Sequence, residues 1–437
     1  MKNFLLLLII LIICWSCTNN NSQKAIGSLE IPELLQRGAV IGPTEEMGSI
    51  NDLYNNLVIK IKSDPKNYDA RLSLAELFMQ EARISGEHGH YFPAALTIVN
   101  AVLNENPEQG LKYRAMLDKA SVLLSLHQFA EAKKIGEEAV KLNPYDAGIY
   151  GVLVDANVEL GNYEEAIKMS DKMISVRPDI RSYSRISYLR EIHGQPEGSI
   201  EAMKLAVSAG YPGLEQTEWA RLVLGNLYKN YGHLDSAEMQ YNIALSMRPN
   251  YPFAVAALAE VETLKGNEVK AKALLERACT LIPEVGFYVE LAKMEKEKGN
   301  LDRAKKLTDE ILAMLADDEA SGHMMSLEYA EVYMDLLDNQ DKALEYAKKE
   351  YSARPDNIDV NKSLAIIYYR KGNYNKSSEH LMKALKTKSK NPELVCLDGL
   401  LKLKANANAE GKQLIRQAFS SNPNLSCSYC DEAKQIL

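Results

Sequence analysis

Two short stretches of this 437-residue chain hold the side chains that could do chemistry. The first, EARISGEHGH, contains Glu81, Glu87, His88 and His90. Two imidazoles and two carboxylates in a loop would bind zinc or copper if a further ligand converged on them. The alternative is a polar loop between two helices, with solvated side chains. A single H-x-H pair is weak support for a metal, so we predict no metal site.

The second stretch is the C-x-x-C motif of Cys427 and Cys430, which precedes the helix-like segment DEAKQIL. A thiol at the start of a helix has a lowered pKa, and this spacing occurs in redox motifs. However, no thioredoxin-like βαβ pattern surrounds the motif. We therefore predict a structural disulfide that fastens the C-terminal end of the fold. A free or metal-bound pair is the alternative, and redox catalysis is a third.

The rest of the chain offers no catalytic pattern. The sequence contains no P-loop, dinucleotide fingerprint, H-E-x-x-H or nucleophile elbow. His127, His193 and His233 fall at or beside recurrent turns, where a polar side chain is solvated or caps a helix. The net charge of −8 argues against nucleic acid as the main partner, because phosphate binding needs a basic face. We predict a protein that is not an enzyme and that needs no cofactor.

The elements that must position these residues are repeated. The segments GNYEEA, GHLDSA, GNEVKA and GNLDRA each carry a turn glycine and, five residues later, an alanine. The glycine ends a first helix in a left-handed conformation, and the alanine lets a second helix approach closely. Prolines such as Pro178 and Pro249 then stop the second helix. A fixed period of about 34 residues indicates stacked helical hairpins.

This pattern resembles the tetratricopeptide repeat, a helix–turn–helix unit of the same length. One copy has the family's signature residues Leu224, Gly225, Tyr228, Gly232, Ala237, Ala244 and Pro249. The resemblance covers roughly 91–423, with departures at Pro196, in the glycine-free turn DNQDKA and in the degenerate last copy ANANAEG. It implies an all-α fold: a right-handed superhelical solenoid of about ten units, with a concave surface lined by the first helix of each unit.

The N-terminus has the pattern of a targeting signal. Lys2 precedes an apolar run at 4–15, which is too short to span a bilayer and suits a signal peptide. Ser16 and Cys17 follow, and this resembles the bacterial lipoprotein signal, although Cys14 replaces the usual leucine. The resemblance implies acylation of Cys17, and two or more acyl chains anchor a protein stably. An ordinary secretory peptide is the alternative.

The residues after Cys17 favour one location within the cell envelope. Thr18 stands where an aspartate would resemble an inner-membrane retention signal, so we predict an outer-membrane lipoprotein that faces the periplasm, with the inner membrane left open. The predicted organisation is a signal peptide at 1–16, a lipidated cysteine and linker at 17–48, a divergent helical unit at 49–107 with an insertion at 83–90, the repeat array at 108–423 and a capping helix at 424–437.

The tetratricopeptide resemblance also implies a partner-binding groove. Carried over residue by residue, the inward positions of the first helices include Arg181, Arg185, Tyr188, Trp219, Asn226, Lys229 and Phe253. Arg, Trp and Tyr are enriched at binding hot spots, so we expect Arg181, Arg185 and Trp219 to contribute most. The alternative is that Trp219 and Phe253 pack between helices and that the arginines are solvated.

These features together predict a membrane-anchored scaffold that binds other proteins or peptide segments in the bacterial periplasm. Two alternatives stay open. A carbohydrate-binding lipoprotein of the nutrient-uptake type has similar helical repeats, but such proteins carry long insertions that this chain lacks. A redox or metal-binding accessory protein would depend on the two chemistry-bearing stretches described first.

Overall fold

A computed structural model describes residues 31–38 and 40–437 of the chain. The predicted signal peptide and Cys17 lie outside these residues. The described residues form helices joined by short turns, and they contain no strand. The all-α class predicted from the repeats is therefore confirmed.

Twenty-two α-helices follow one another along the described chain. The first eleven are α1 (Glu46–Ser63), α2 (Tyr68–Ser85), α3 (His88–Asn104), α4 (Gln109–Ser125), α5 (Phe129–Leu142), α6 (Ala147–Glu159), α7 (Tyr163–Val176), α8 (Ile180–Ile192), α9 (Pro196–Ser208), α10 (Glu215–Asn230) and α11 (Leu234–Met247). The others are α12 (Pro252–Leu264), α13 (Glu268–Leu281), α14 (Val285–Glu297), α15 (Leu301–Ala320), α16 (Ser326–Glu331), α17 (Gln340–Ala353), α18 (Ile358–Arg370), α19 (Tyr374–Ala384), α20 (Pro392–Lys404), α21 (Asn408–Ser421) and α22 (Cys430–Lys434). A π-helical turn, Val332–Leu336, continues α16.

Ten antiparallel hairpins, from α2/α3 to α20/α21, make up the array, in agreement with the expected number of units. The small residue five positions after the turn glycine is fully buried in most copies, as at Ala166, Ala237 and Ala271. A larger side chain there would push the two helices of a hairpin apart, because protein interiors are close-packed. The repeated alanine therefore sets the spacing of the hairpins.

Two irregularities depart from the sequence expectation. No loop is inserted at 83–90, because α2 runs to Ser85 and α3 begins at His88; the extra residues of this unit instead lengthen α2 to 18 residues and α3 to 17. A later unit is also longer than the others: 39 residues separate Ala304 from Ala343, whereas 33 separate Ala271 from Ala304. The extra residues extend α15 to 20 residues and form the segment 321–325 that follows it.

The array winds back onto itself. Glu46 pairs with Arg248, Glu159 with Arg354, and the Asn422 amide with the Lys229 carbonyl oxygen at 3.2 Å. Partners in these pairs are 202, 195 and 193 residues apart, or roughly six repeats of 34 residues. Units of the first superhelical turn therefore rest on units about six places further along. We call the contacts between residues 40–232 and residues 248–424 the inter-turn seam.

A buried ion network closes the seam at its N-terminal end. Arg248 is 0% exposed and donates to both carboxylate oxygens of Glu46, at 2.6 and 2.8 Å. Glu46 also accepts from Arg37, at 2.7 Å, and Arg37 forms a two-bonded pair with the buried carboxylate of Glu81. The extended segment that precedes α1 is thereby held between the first and the second superhelical turn.

Candidate protein-binding cavity

Closure of the seam turns the concave side of the array into a cavity of about 1660 Å³. Its wall consists mainly of the inner faces of the first helices α10, α12, α14, α16, α18 and α20. The start of α3, in the first superhelical turn, and the residues after α15, in the second, complete it. The volume exceeds the about 300–1,000 Å³ of typical small-molecule sites. The space therefore suits a chain segment better than a metabolite.

Three of the seven predicted groove residues line this cavity: Asn226, Lys229 and Phe253. The Asn226 amide oxygen accepts a hydrogen bond from the Tyr241 hydroxyl at 2.7 Å, which fixes its orientation. Lys229 pairs with Glu260, one unit further along. Phe253 packs edge-to-face on Phe287, with ring centroids 5.5 Å apart. Contacts with neighbouring residues therefore hold all three side chains in place in the cavity wall.

The other four predicted residues lie outside the cavity wall. Trp219 is 46% exposed and precedes Leu222 by three residues on α10, so it continues the stripe that Leu222 and Asn226 form inside the cavity. Arg181 is exposed, whereas Arg185 forms a two-bonded pair with Asp155 on α6, at 2.8 and 2.5 Å. The expected contributions of Trp219, Arg181 and Arg185 to binding stay predictions.

Tyr188 lies near both superhelical turns. Its side chain is 37% exposed, and burial, followed by the negative charges of Asp359 and Glu159, raises the pKa of its hydroxyl. Asp359 lies in the second superhelical turn and Glu159 in the first, so groups from both turns act on this tyrosine.

Ion pairs between neighbouring first helices run along the inner surface. Lys229 pairs with Glu260, Lys362 with Glu393, and the Lys293 ammonium lies 2.6 Å from Glu331. Partners are 31 to 38 residues apart, which places them on adjacent units. These pairs align successive first helices, and they neutralise most of the cations that face the cavity.

The histidine-rich stretch does not form the loop that we expected. Glu81 lies within α2 and is bound by Arg37, while His88 and His90 lie in the first turn of α3. His88 stacks on Phe92, and His90 bonds the Glu33 carbonyl oxygen at 2.9 Å. Within residues 31–38 and 40–437, no three His, Cys, Asp or Glu side chains are arranged to hold a metal ion.

Sequence reasoning missed a histidine cluster at the seam. His323, in the segment after α15, lies 5.8 Å from His88 and 6.2 Å from His127 between ring centroids. Burial and the neighbouring imidazoles lower the pKa of His88 and of His323 to about 4, so both are neutral at pH 7. The longer spacing between Ala304 and Ala343 was the available signal, because an insertion in a repeat array maps to one face.

The C-terminal motif packs against the last hairpin. The sulfurs of Cys427 and Cys430 are bonded to each other, and Cys430 is buried beside Leu425 and Tyr429. The motif stands at the start of α22, a helix of only five residues. The disulfide closes a short local loop, and the burial of Cys430 holds the start of α22 against the last hairpin.

No helix in the described part of the chain combines the length and the apolar character that crossing a bilayer would require.

Comparison with known proteins identifies the repeats. One family model described as a tetratricopeptide repeat matches residues 123–186, and a second matches 363–391. The chain therefore carries tetratricopeptide repeats, as its sequence pattern predicts. They build a helical solenoid with a concave cavity.

Curated relatives share parts of the array. The chain is 24% identical over 186 residues to the human protein O-mannosyl-transferase TMTC1, which covers 42% of this chain and 20% of that protein. It is also 24% identical over 199 residues to the cellulose synthase 1 operon protein C of Komagataeibacter xylinus, with 42% of this chain and 15% of the relative covered. The chain thus spans a fifth or less of these relatives.

Solved structures with similar segments include a thermophilic TPR protein of Thermus thermophilus, at 24% identity and a TM-score of 0.39. The similar region covers 45% of this chain and 99% of that one. PilW, a type IV pilus biogenesis factor, is 18% identical with a TM-score of 0.39, and the similar region covers 46% of this chain and 92% of PilW.

Proposed function

We propose that this protein is a non-enzymatic, membrane-anchored scaffold of the bacterial cell envelope that holds a segment of another protein in the cavity. The observation that supports this site most directly is the wall itself. The first helices of six successive units turn their inner faces toward one space of about 1660 Å³. A segment lying there would contact several units at once, which is how repeat arrays bind extended ligands.

Site-specific photo-cross-linking in cells tests the binding site. Glu297 lines the cavity, is exposed within it, and has no Lys or Arg partner among the described residues. Val269 is highly exposed on a second helix and does not line the cavity. With a photoreactive amino acid at either position, we expect a covalent adduct with another protein from position 297 and none from 269. Adducts from position 269 alone would contradict the proposed site.

The membrane anchor is supported by the Ser16-Cys17 pair and by the polar residues that follow it. Thirteen residues separate Cys17 from Ile31, where the described chain begins. Such a tether reaches at most about 45 Å when fully extended. Acylation of Cys17 would therefore keep the cavity within a short distance of the bilayer surface and raise the local concentration of membrane-bound partners.

Replacement of single cysteines tests the anchor, and Cys14 supplies the matched control. We expect Cys17→Ser to abolish labelling by an alkyne-tagged palmitate and to release the protein from washed membranes. Cys14→Ser should keep both the label and the membrane association. Continued labelling of the Cys17→Ser variant would show that the lipid is attached elsewhere, and no labelling of the unaltered chain would show that Cys17 is not acylated.

A further inference from the structure

Carboxylates outnumber cations in the wall of the cavity. Ten Asp or Glu residues line it, against four Lys or Arg residues. Three of those four cations, Lys229, Lys293 and Lys362, already pair with carboxylates on adjacent first helices. Among the described residues, no Lys or Arg lies within 4 Å of Glu284 or Glu328. The wall therefore presents negative charge that the fold itself does not neutralise.

Three of these carboxyl groups have raised pKa values, chiefly because they are buried. Burial, and then repulsion from Asp318, raises the pKa of Glu284 to about 7. Burial, followed by repulsion from Asp317, raises the pKa of Asp318 to about 6. Burial also raises the pKa of Glu328. A cation close to these groups would lower their pKa values again, because it would give the charged form of each carboxyl a partner.

A buried imidazole gives a second, independent indication of a ligand. His323 lines the cavity, is only 7% exposed, and has no hydrogen-bond partner at its Nδ1 atom within the described chain. The nearest carboxylate oxygen, Oδ1 of Asp318, is 4.0 Å away. Buried polar atoms are normally satisfied, and an exception needs an explanation such as a bound group. Because the imidazole is neutral at pH 7, it does not repel a cation that enters the cavity.

The apolar part of the wall fits the stems of long cationic side chains. Phe253 and Phe287 pack edge-to-face, and Leu222 and Met294 lie in the same wall. Lys and Arg lay their methylene groups on such surfaces while the charged head reaches a polar partner. A cationic head group that lies over an aromatic face gains a further cation–π attraction. A wall that places apolar side chains beside carboxylates without a cationic partner is complementary to a chain that alternates cationic and apolar residues.

We propose that the cavity binds a Lys- or Arg-rich segment of a partner protein, in which apolar residues separate the cations. Its cationic groups bond Glu284 and Glu328 beside the neutral imidazole of His323, and the apolar residues cover Phe253 and Phe287. This inference rests on the proposed scaffold function and names the chemistry of the partner. Acidic segments and nucleic acids are repelled by the same wall.

Binding of defined peptides to the full-length chain in non-ionic detergent tests the inference. The probe is a short fluorescein-labelled peptide of alternating Lys and Leu, and the comparison peptide replaces each Lys with Glu. We expect fluorescence anisotropy to report saturable binding of the Lys peptide and none of the Glu peptide. Equal binding of both peptides would overturn the inference.

Paired variants separate a specific site from general attraction to an acidic protein. Glu284→Gln with Glu328→Gln removes two negative charges from the cavity. Glu138→Gln with Glu164→Gln removes two exposed charges from the second helices α5 and α7. The cavity pair should weaken binding about tenfold or more, because each lost bond involves a charged group. The outer pair should change affinity by less than about twofold. Equal losses in both variants would overturn the proposed site.

The pH dependence supplies a readout that a purely structural defect would not reproduce. The anionic form of Glu284 binds the cation, so affinity should rise as pH increases from 6 to 8 and this carboxyl loses its proton. The single variant Glu284→Gln should show a flatter profile while its circular dichroism is unchanged. A profile that keeps its full slope in this variant would contradict the assigned role of Glu284.

Two further outcomes distinguish this inference from the proposed function. If spermine competes fully with the Lys peptide at equal charge concentration, the site selects small polyamines, and a peptide partner is excluded. If the adduct from position 297 carries an acidic or uncharged segment, the scaffold function stands but the basic-segment inference is wrong. Absence of any adduct from position 297 would instead count against the scaffold function itself.

Discussion

Two turn glycines have the same backbone conformation, but only one of them lies close to a residue of the next superhelical turn. Gly161 and Gly299 occupy equivalent positions in GNYEEA and GNLDRA, with φ of 79° and 78°. A Cβ on Gly161 would overlap the backbone carbonyl group of Asp356 in the next superhelical turn, whereas a Cβ on Gly299 meets nothing within 4 Å. Alanine at these two positions therefore separates local strain from the loss of inter-turn contact.

The expected magnitudes follow from the neighbouring contacts. Both substitutions place alanine in a left-handed conformation, at a cost of about 1–2 kcal/mol. At Gly161 the two turns must also move apart. That movement breaks the Arg354–Glu159 pair and the bond from the Ile358 amide to the Tyr163 hydroxyl at 2.8 Å. Glu159 is partly exposed and Arg354 keeps its pair with Glu350, so loss of the ion pair costs about 1 kcal/mol and loss of the hydrogen bond about 1. We expect Gly161→Ala to destabilise the seam by about 2 kcal/mol more than Gly299→Ala destabilises its own turn.

Hydrogen exchange with mass spectrometry measures this difference locally. The Ile358 amide donates across the seam, so Gly161→Ala should abolish its protection while Gly299→Ala leaves it unchanged. Small-angle X-ray scattering of the same samples should show a larger radius of gyration for Gly161→Ala alone. Equal protection of Ile358 in the two variants would refute the claim that the second turn rests on this glycine.

The remaining predictions concern other buried groups. Arg248→Met removes both bonds to Glu46 and should cost about 3 kcal/mol, seen as faster exchange of the amides around Glu46 but not of those in α20. Burial raises the pKa of Asp118 to about 8, so the folded state holds a proton that the unfolded chain releases near pH 4. Stability should therefore fall as pH rises from about 4 to 8, and Asp118→Asn should raise the melting temperature more at pH 8 than at pH 5. Reduction of the Cys427–Cys430 bond releases a very short loop and should lower the local stability of the C-terminal end by about 2 kcal/mol, measured by exchange in α22 with and without reductant.

The hairpins and the inner face could be predicted because both are local properties of each repeat. A glycine and an alanine five residues later define one hairpin, as at Gly232 and Ala237. The helical period then fixes which side chains of the first helix share a face. Asn226, Lys229 and Phe253 lie in the cavity wall for this reason. Trp219 shares the stripe but lies beyond the enclosed part, because the extent of a cavity depends on more than one helix.

The seam could not be predicted because it depends on a sum of small rotations. Each hairpin turns slightly relative to the previous one, and only the total over about six units decides whether two turns meet. Arg248 lies in the ordinary repeat ending RPN, and nothing near it in sequence indicates a partner 202 residues away. The histidine cluster has the same origin, since His88, His127 and His323 belong to segments that only the superhelix brings together.

The seam also changes how the array should respond to perturbation. Repeat proteins are described as sums of unit stabilities and nearest-neighbour interfaces, because each unit usually contacts only the next. Here Glu159 in one turn is bound by Arg354 in the next, so units about six places apart stabilise each other directly. If the seam opens at one point, residues of both superhelical turns leave the cavity wall together. Ligand binding inside the cavity and closure of the seam must therefore be thermodynamically coupled, and a segment that occupies the cavity should slow exchange of the Ile358 amide even though it does not contact it.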